Sequence, residues 1–216
     1  MKKIIGINGS ARKNWNTHIL LNKALEGARQ TGAETELYNL YDLNYKGCIG
    51  CLACKLKGSK DLGRCVINDD LKTVLNKIDN CDGFILGSPV YLGEITAMMR
   101  AFFERLIFQY LSYDDYSKPY FKRNIKTAFI YTMNAPVEAV SQFGLDKTFE
   151  KYEEMLKMYF GHSEIILCGE TLQVNDYDKY HMSSWNGDDR HKRRKEVFPD
   201  ECKLVYEFGG SFVKSE

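Results

Sequence analysis

Four of the seven cysteines in this 216-residue chain are clustered, and their spacing suits metal binding. Cys48, Cys51 and Cys54 recur at every third position, and Cys65 follows after a polar gap of ten residues. Three thiolates in so tight a run, with a fourth beyond a loop, can converge on the iron atoms of a cubane cluster. A structural zinc site usually takes its ligands as two separated pairs, so the spacing favours a 4Fe–4S cluster and leaves zinc as an alternative.

A second candidate site is the polar loop at residues 9–17, between a short apolar strand and a helical pattern. The first turn of a helix has free N–H groups and a partial positive charge, and Ser10, Asn16 and Thr17 add side-chain donors. The loop lacks both the Gly-Lys-Ser/Thr of a P-loop and the three spaced glycines of a dinucleotide fingerprint. We expect it to hold a phosphate, with an ordinary capped strand–helix turn as the alternative.

The elements that must position these loops alternate between strands and helices. Strands are predicted near residues 3–7, 34–40, 83–87, 126–133 and 163–168. Helical apolar faces are predicted near residues 19–28, 71–78, 95–110, 145–160 and 199–208. This alternation predicts an α/β fold, a doubly wound five-stranded parallel sheet with helices on both faces. We find no repeat or linker, so we expect one domain over residues 1–216.

Two loops should meet at the carboxyl edge of that sheet, where open α/β folds bind ligands. The loop at residues 9–17 supplies phosphate donors. The loop at 88–93 supplies backbone N–H groups and Tyr91, beside a proline that stiffens the chain. A phosphate at one end and a flat ring at the other describes flavin mononucleotide (FMN).

Composition excludes several classes of protein. A formal net charge of +1 gives no reason to expect nucleic acid or a membrane surface as partner. The apolar stretch after Met-Lys-Lys is too short for a signal peptide, and no window could span a bilayer, so we expect a cytoplasmic protein. Besides the cysteine-rich loop at 45–65, two polar stretches break the alternation: a Tyr-rich crossover at 112–124 and a long excursion at 171–197 without predicted structure. The basic run at 190–195 within it is interpreted as solvated surface, with a nucleotide phosphate site as the alternative.

The motifs together resemble the flavodoxin-like NADPH-dependent FMN reductase family, and among its members the iron–sulfur flavoproteins. The matching pieces are GSARKNWNT at 9–17, CIGCLAC at 48–54, CVINDDL at 65–71 and GSPVYLGEITAMMRAFFERL at 87–106. The resemblance implies a sheet order of 2-1-3-4-5. It also implies that phosphate is held by Ser10, Asn16, Thr17 and His18, and that Arg12 lies near the ribityl chain or ring. The isoalloxazine ring is expected against Pro89, Val90, Tyr91, Leu92, Gly93, Thr132, Met133 and Asn134. Trp15 stands where the family usually has glycine.

The resemblance further implies an enzyme in which FMN takes electrons from NADPH or NADH and passes them to a small molecule or a redox protein. No side chain is expected as a catalytic acid or base, because the cofactor carries this chemistry. The four clustered cysteines are implied as 4Fe–4S ligands, although relatives without a cluster keep them as thiols. A flavodoxin-type electron carrier and a redox sensor are the alternatives. A homodimer or homotetramer is expected, with the apolar helix at 95–110 contributing to the interface; the alternative is that the crossover at 112–124 covers this helix.

Overall fold

The computed structural model describes residues 1–214, which fold around a largely parallel β-sheet. Its strands are β1 (Lys3–Asn8), β2 (Glu34–Asn39), β3 (Gly83–Tyr91), β4 (Glu94–Ile95), β5 (Ile125–Thr132) and β6 (Gly161–Cys168). The parallel strands lie in the order β2-β1-β3-β5-β6. If the five parallel strands are numbered in chain order without β4, this is the predicted order 2-1-3-4-5. The fold prediction is therefore confirmed.

The strand β4 is the one strand that the periodicity did not predict. It pairs antiparallel with the end of β3, Val90 opposite Ile95 and Tyr91 opposite Glu94. The connecting turn consists of Leu92 and Gly93, whose φ angles of 53° and 81° are both positive. A two-residue pairing carries no detectable alternation, so only the folded chain shows this hairpin.

Residues 1–214 form six α-helices, five of which cover the two faces of the sheet. The six helices are α1 (Asn16–Gln30), α2 (Asp70–Ile78), α3 (Ala97–Tyr110), α4 (Leu145–Phe160), α5 (Gly187–Glu196) and α6 (Phe198–Val213). The residues of α2, α3 and α4 bury one face of the sheet, and those of α1 and α6 bury the other. Two apolar clusters on opposite faces explain why the central strands are buried on both sides.

Helices α1 and α6 approach so closely that only glycine fits between them. A Cβ atom on Gly27 would lie 1.9 Å from the backbone oxygen of Tyr206, and one on Gly209 would lie 1.9 Å from that of Ala24. This contact fixes α1 against the sheet. The N-terminus of α1 is therefore held at the carboxyl edge of β1, where a ligand can reach it.

The polar excursion at 171–197 contains a helix, so the prediction that it lacks regular structure is wrong for α5. Asn186 caps α5 by accepting the N–H groups of Asp188 and Asp189 at 3.0 and 3.3 Å. Acidic residues in the first turn and basic residues in the last turn complement the helix dipole. The sequence carried these signals, but α5 has almost no apolar residues, so it lacks the periodicity that indicates a helix.

The basic run at 190–195 is only partly solvated. The side chain of Arg190 is 9% exposed and pairs with Glu170 at 2.8 Å, and Arg193 forms two bonds with Glu201. These ion pairs dock α5 onto the rest of the chain.

No helix in residues 1–214 combines the length and the apolar character needed to cross a bilayer.

Candidate functional site

A cleft of about 290 Å³ opens at the carboxyl edge of β1, β3 and β5. Ten of the thirteen residues predicted to contact cofactor line it: Ser10, Arg12, Asn16, Thr17, Pro89, Val90, Tyr91, Thr132, Met133 and Asn134. The other walls come from Trp15 and from four residues that the sequence did not single out for contact: Thr171, Leu172, Gln173 and Met182. Segments at the carboxyl ends of four parallel strands, β1, β3, β5 and β6, thus meet at one cleft.

One end of the cleft is suited to an anion. Helix α1 begins there without a side-chain cap and without an acidic residue in its first turn. The Ser10 hydroxyl accepts the N–H of Arg12 at 3.2 Å, which leaves its own proton available for a ligand. The buried hydroxyls of Thr17 and Thr132 lie 2.7 Å apart. Free N–H groups, hydroxyl donors and the positive end of a helix dipole are the components of a phosphate site.

Several polar side chains of the loop at residues 9–17 are bonded to the protein itself. The Asn16 amide donates to the Leu172 carbonyl at 2.8 Å and accepts from Arg194 at 2.8 Å. The Trp15 indole donates to the same carbonyl at 3.0 Å, and Arg12 donates to the Gln173 carbonyl. The strand-end segment 171–173 therefore closes one side of the cleft and holds the loop in place.

The other end of the cleft is lined by less polar side chains. Pro89, Val90 and Met133 line it, and Tyr91 is 49% exposed at its rim. The Asn134 side-chain oxygen is buried there without a hydrogen-bond partner. Buried acceptors are rarely left unpaired in native proteins, so this oxygen is suited to an N–H donor on a ligand.

Two buried residues that were not predicted from the sequence as site residues, Ser88 and Thr96, connect the loops around the cleft. The Ser88 hydroxyl accepts the N–H of Thr96 at 3.1 Å, and the Thr96 hydroxyl donates to the Gly9 carbonyl at 2.7 Å while capping α3. Small hydroxyl residues at strand ends and helix starts were visible in the sequence. The bond from Thr96 to Gly9, 87 positions away, was not.

His18, Leu92 and Gly93 lie outside the residues that line the cleft. The His18 Nδ1 accepts the N–H of Asn14 at 3.2 Å. Burial, with a smaller contribution from Lys13, lowers the pKa of His18 below its ordinary value. His18 therefore bonds to the loop at residues 9–17 through Asn14 and does not line the cleft. Leu92 and Gly93 form the exposed β3–β4 turn beyond the rim.

All four clustered cysteines, Cys48, Cys51, Cys54 and Cys65, line a common cavity of about 20 Å³. The ten-residue gap closes because Gly63 N–H donates to the Cys54 carbonyl at 2.9 Å, which returns the chain to the cavity. Cys54 is buried and Cys51 is exposed. In residues 1–214 no group of three or more His, Cys, Asp or Glu side chains is arranged to hold a metal ion.

Helix α3 forms the floor of the cysteine cavity with polar side chains. Gln109 accepts the Cys65 N–H at 3.0 Å, and the fully buried Arg105 pairs with Asp69. Lys55 donates to the carbonyls of Phe108 and Gln109 at 2.6 and 2.9 Å, which ties the loop to the end of α3. These contacts were not predicted, because an arginine and a glutamine on an apolar helix normally indicate a solvated face.

The sheet order and the cleft at its carboxyl edge define a flavodoxin-like α/β protein. The family model for NADPH-dependent FMN reductase matches residues 2–142, and the chain belongs to that family. This confirms the resemblance seen in the sequence.

Curated relatives carry iron–sulfur flavoprotein names. One from Methanocaldococcus jannaschii is 42% identical over 103 residues, 48% of this chain and 51% of the relative. Another from Methanosarcina thermophila is 36% identical over 105 residues, 49% of this chain and 52% of the relative. The chain thus spans about half the length of the curated relatives it matches.

Solved structures share the fold at low sequence identity. An NAD(P)H:quinone oxidoreductase from Methanothermobacter marburgensis aligns over 97% of this chain and 98% of its own, with a TM-score of 0.72 and 12% identity. An azoreductase from Bacillus anthracis aligns over 98% and 100%, with a TM-score of 0.67 and 13% identity. At these identities the likeness shows the fold alone.

Proposed function

We propose that the chain is a single FMN-binding domain of an oxidoreductase that takes electrons from NADPH or NADH and passes them to an acceptor. The observation that carries the proposal is the cleft itself. One end of the cleft has an uncapped helix start with hydroxyl donors, and the other end has less polar side chains with an unpaired buried acceptor. These two ends match the two ends of FMN, which are a phosphate and an isoalloxazine ring.

The residues of the cleft fit FMN in their chemistry. Ser10, Thr17 and the first N–H groups of α1 would bind the phosphate, and Asn16 would hold the loop rather than the ligand, since both ends of its amide are bonded. Asn134 would accept a ring N–H, with Pro89, Val90, Tyr91 and Met133 around it, and Thr132 would lie at the phosphate end beside Thr17. Arg12 would lie beside the ribityl chain. His18, Leu92 and Gly93 would act from outside the cleft.

Bound FMN supplies the hydride and electron chemistry, and the protein orients it and shields it from water. We name no catalytic acid or base. The rim at Tyr91 leaves one side of the cleft open, where a nicotinamide ring could approach. The name of the family supports NADPH as donor, and those of the fold relatives suggest quinone-like or azo acceptors.

We propose further that Cys48, Cys51, Cys54 and Cys65 hold a 4Fe–4S cluster that carries electrons singly. The shared cavity, the unpaired N–H donors beside it and the names of the curated relatives support this. Cys51 must turn inward to complete the set, because its side chain faces solvent. Redox-active thiols are the alternative for these cysteines.

A homo-oligomer in the cytoplasm completes the proposal. Met99, Phe102, Phe103 and Leu106 on α3 are buried within the chain, so less of this helix is available for an interface than expected. The remaining apolar surface is a groove of about 390 Å³, which Ile107, Phe108, Leu111 and Met155 help to form. All seven cysteines are unpaired, which agrees with a reducing compartment.

Anaerobic reduction tests the enzyme proposal. Protein purified without oxygen and saturated with FMN is mixed with NADPH or NADH, and the visible absorption of oxidised flavin is followed. Rapid bleaching with either nucleotide supports an enzyme. A flavin that only dithionite reduces supports the electron carrier. Iron and sulfide analysis of the same sample, with about four irons per chain expected, separates the cluster from thiols.

A further inference from the structure

Helix α3 presents buried hydrogen-bond donors to the cysteine cavity that have no acceptor. The Arg105 side chain is 1% exposed, and its Nη1 bonds to Asp69 and to the Lys46 carbonyl at 3.3 Å. Its Nε and Nη2 atoms are buried without a partner. Gln109 lies one turn further on, and its Nε2 is also buried without a partner. Both residues line the cavity with the four cysteines.

Unpaired buried donors are rare, and three of them beside one cavity indicate an acceptor that belongs there. The Gln109 side chain is fixed in orientation because its Oε1 accepts the Cys65 N–H, so its amide nitrogen has a defined direction. Arg105 is fixed by Asp69. Both side chains are therefore held in place before any ligand binds, and the cavity that they share is the one lined by the four cysteines.

The charges around the cavity favour an anionic acceptor. Arg105 and Lys55 bring two positive charges, and Asp69 brings one negative charge. The guanidinium of arginine is always protonated in proteins, so Arg105 is charged. A cubane cluster with four thiolate ligands is an anion whose sulfur atoms accept hydrogen bonds.

We propose that Arg105 and Gln109 donate hydrogen bonds to sulfur atoms of the cluster held by the four cysteines and thereby raise its reduction potential. The proposal rests on the 4Fe–4S assignment made above. The reduced cluster carries more negative charge than the oxidised one, so donors directed at its sulfurs stabilise the reduced form more. Arg105 and Gln109 act as positioning and tuning residues, since neither ligates iron.

The test is the midpoint potential of the reconstituted cluster in wild type and two variants. Gln109→Glu keeps an oxygen for the Cys65 N–H but replaces the free donor with a negative charge. Arg105→Lys keeps the charge next to Asp69 but removes the Nε and Nη2 donors. We expect both to retain iron and to lower the potential, Gln109→Glu by at least the 59 mV that corresponds to a tenfold change for one electron.

Lys60→Gln is the control, because it changes net charge by the same amount from an exposed position on the cysteine loop. Its potential should match that of wild type. An unchanged potential in an iron-loaded Gln109→Glu protein would overturn the inference while leaving the cluster assignment intact. Wild-type protein that takes up no iron and sulfide on anaerobic reconstitution would instead refute the cluster. If Gln109→Glu does not fold, Arg105→Lys decides by the same measurement.

Discussion

The paired hydroxyls of Thr17 and Thr132 give the most direct test of the phosphate end of the cleft. Both side chains are 2% exposed, and their oxygens lie 2.7 Å apart. If Thr132 donates to Thr17, the Thr17 proton is free to bond a phosphate. The substitution Thr17→Val removes this hydroxyl and keeps both branches of the side chain, including the Cγ2 methyl packed near Gly87.

Two separate losses are expected from Thr17→Val. In the free protein the Thr132 hydroxyl loses its partner in a buried position, which costs about 1–3 kcal/mol of the free energy of unfolding. In the complex a hydrogen bond to a charged phosphate is also lost, worth about 1.5–3 kcal/mol. The second loss raises the Kd for FMN by about 10- to 150-fold.

Urea unfolding of the free protein and calorimetric titration with FMN measure the two quantities independently. Thr17→Ser is the matched control, since it keeps the hydroxyl and removes only the methyl group. It should bind FMN much more tightly than Thr17→Val. The phosphate assignment is refuted if Thr17→Val loses stability but binds FMN as wild type does, because the hydroxyl then serves only Thr132.

Three further predictions concern stability. Gly209→Ala should destabilise the protein by at least about 1–3 kcal/mol in urea unfolding, since its Cβ would lie 1.9 Å from a backbone oxygen of α1. Gly210→Ala, whose Cβ meets nothing closer than 3.5 Å, should instead stabilise α6 by up to about 1 kcal/mol, and equal effects would contradict the packing. Because the pKa of His18 is lowered in the folded protein, wild type should lose stability relative to His18→Asn as pH falls below about 6.5, and parallel profiles would refute this. Asp69→Asn leaves the buried Arg105 without its counter-charge and should cost about 3–5 kcal/mol, whereas a near-neutral effect would show that the pair is dispensable.

The sequence predicted much of the cofactor site because its loops follow strands. In a parallel sheet every strand ends at the same edge, so the loops at residues 9–17 and 88–93 must meet wherever β1 and β3 are neighbours. The apolar periodicity of each strand can be seen in a few consecutive residues, so the sequence alone predicts where each strand ends and its loop begins. The ten predicted residues that line the cleft follow from it, together with the resemblance.

The features that the sequence missed depend on contacts between distant segments. Arg105 and Gln109 gave no local sign of burial, since only the folded cysteine loop covers them. Segment 171–173 closes the cleft through backbone carbonyls, which have no sequence signature. Helix α5 lacks an apolar face and is held by ion pairs to other elements.

By itself, the sequence determined the alternating elements, the order of the parallel strands through the family resemblance, and the two chemically distinctive loops. These depend on local periodicity and on residue types. Only the tertiary structure decided which side chains of the loop at 9–17 are free for a ligand and which are bonded to the protein. It also decided that four cysteines share a cavity with unpaired donors from α3. Both outcomes depend on hydrogen-bond partners far apart in the chain, which residue type and spacing cannot specify.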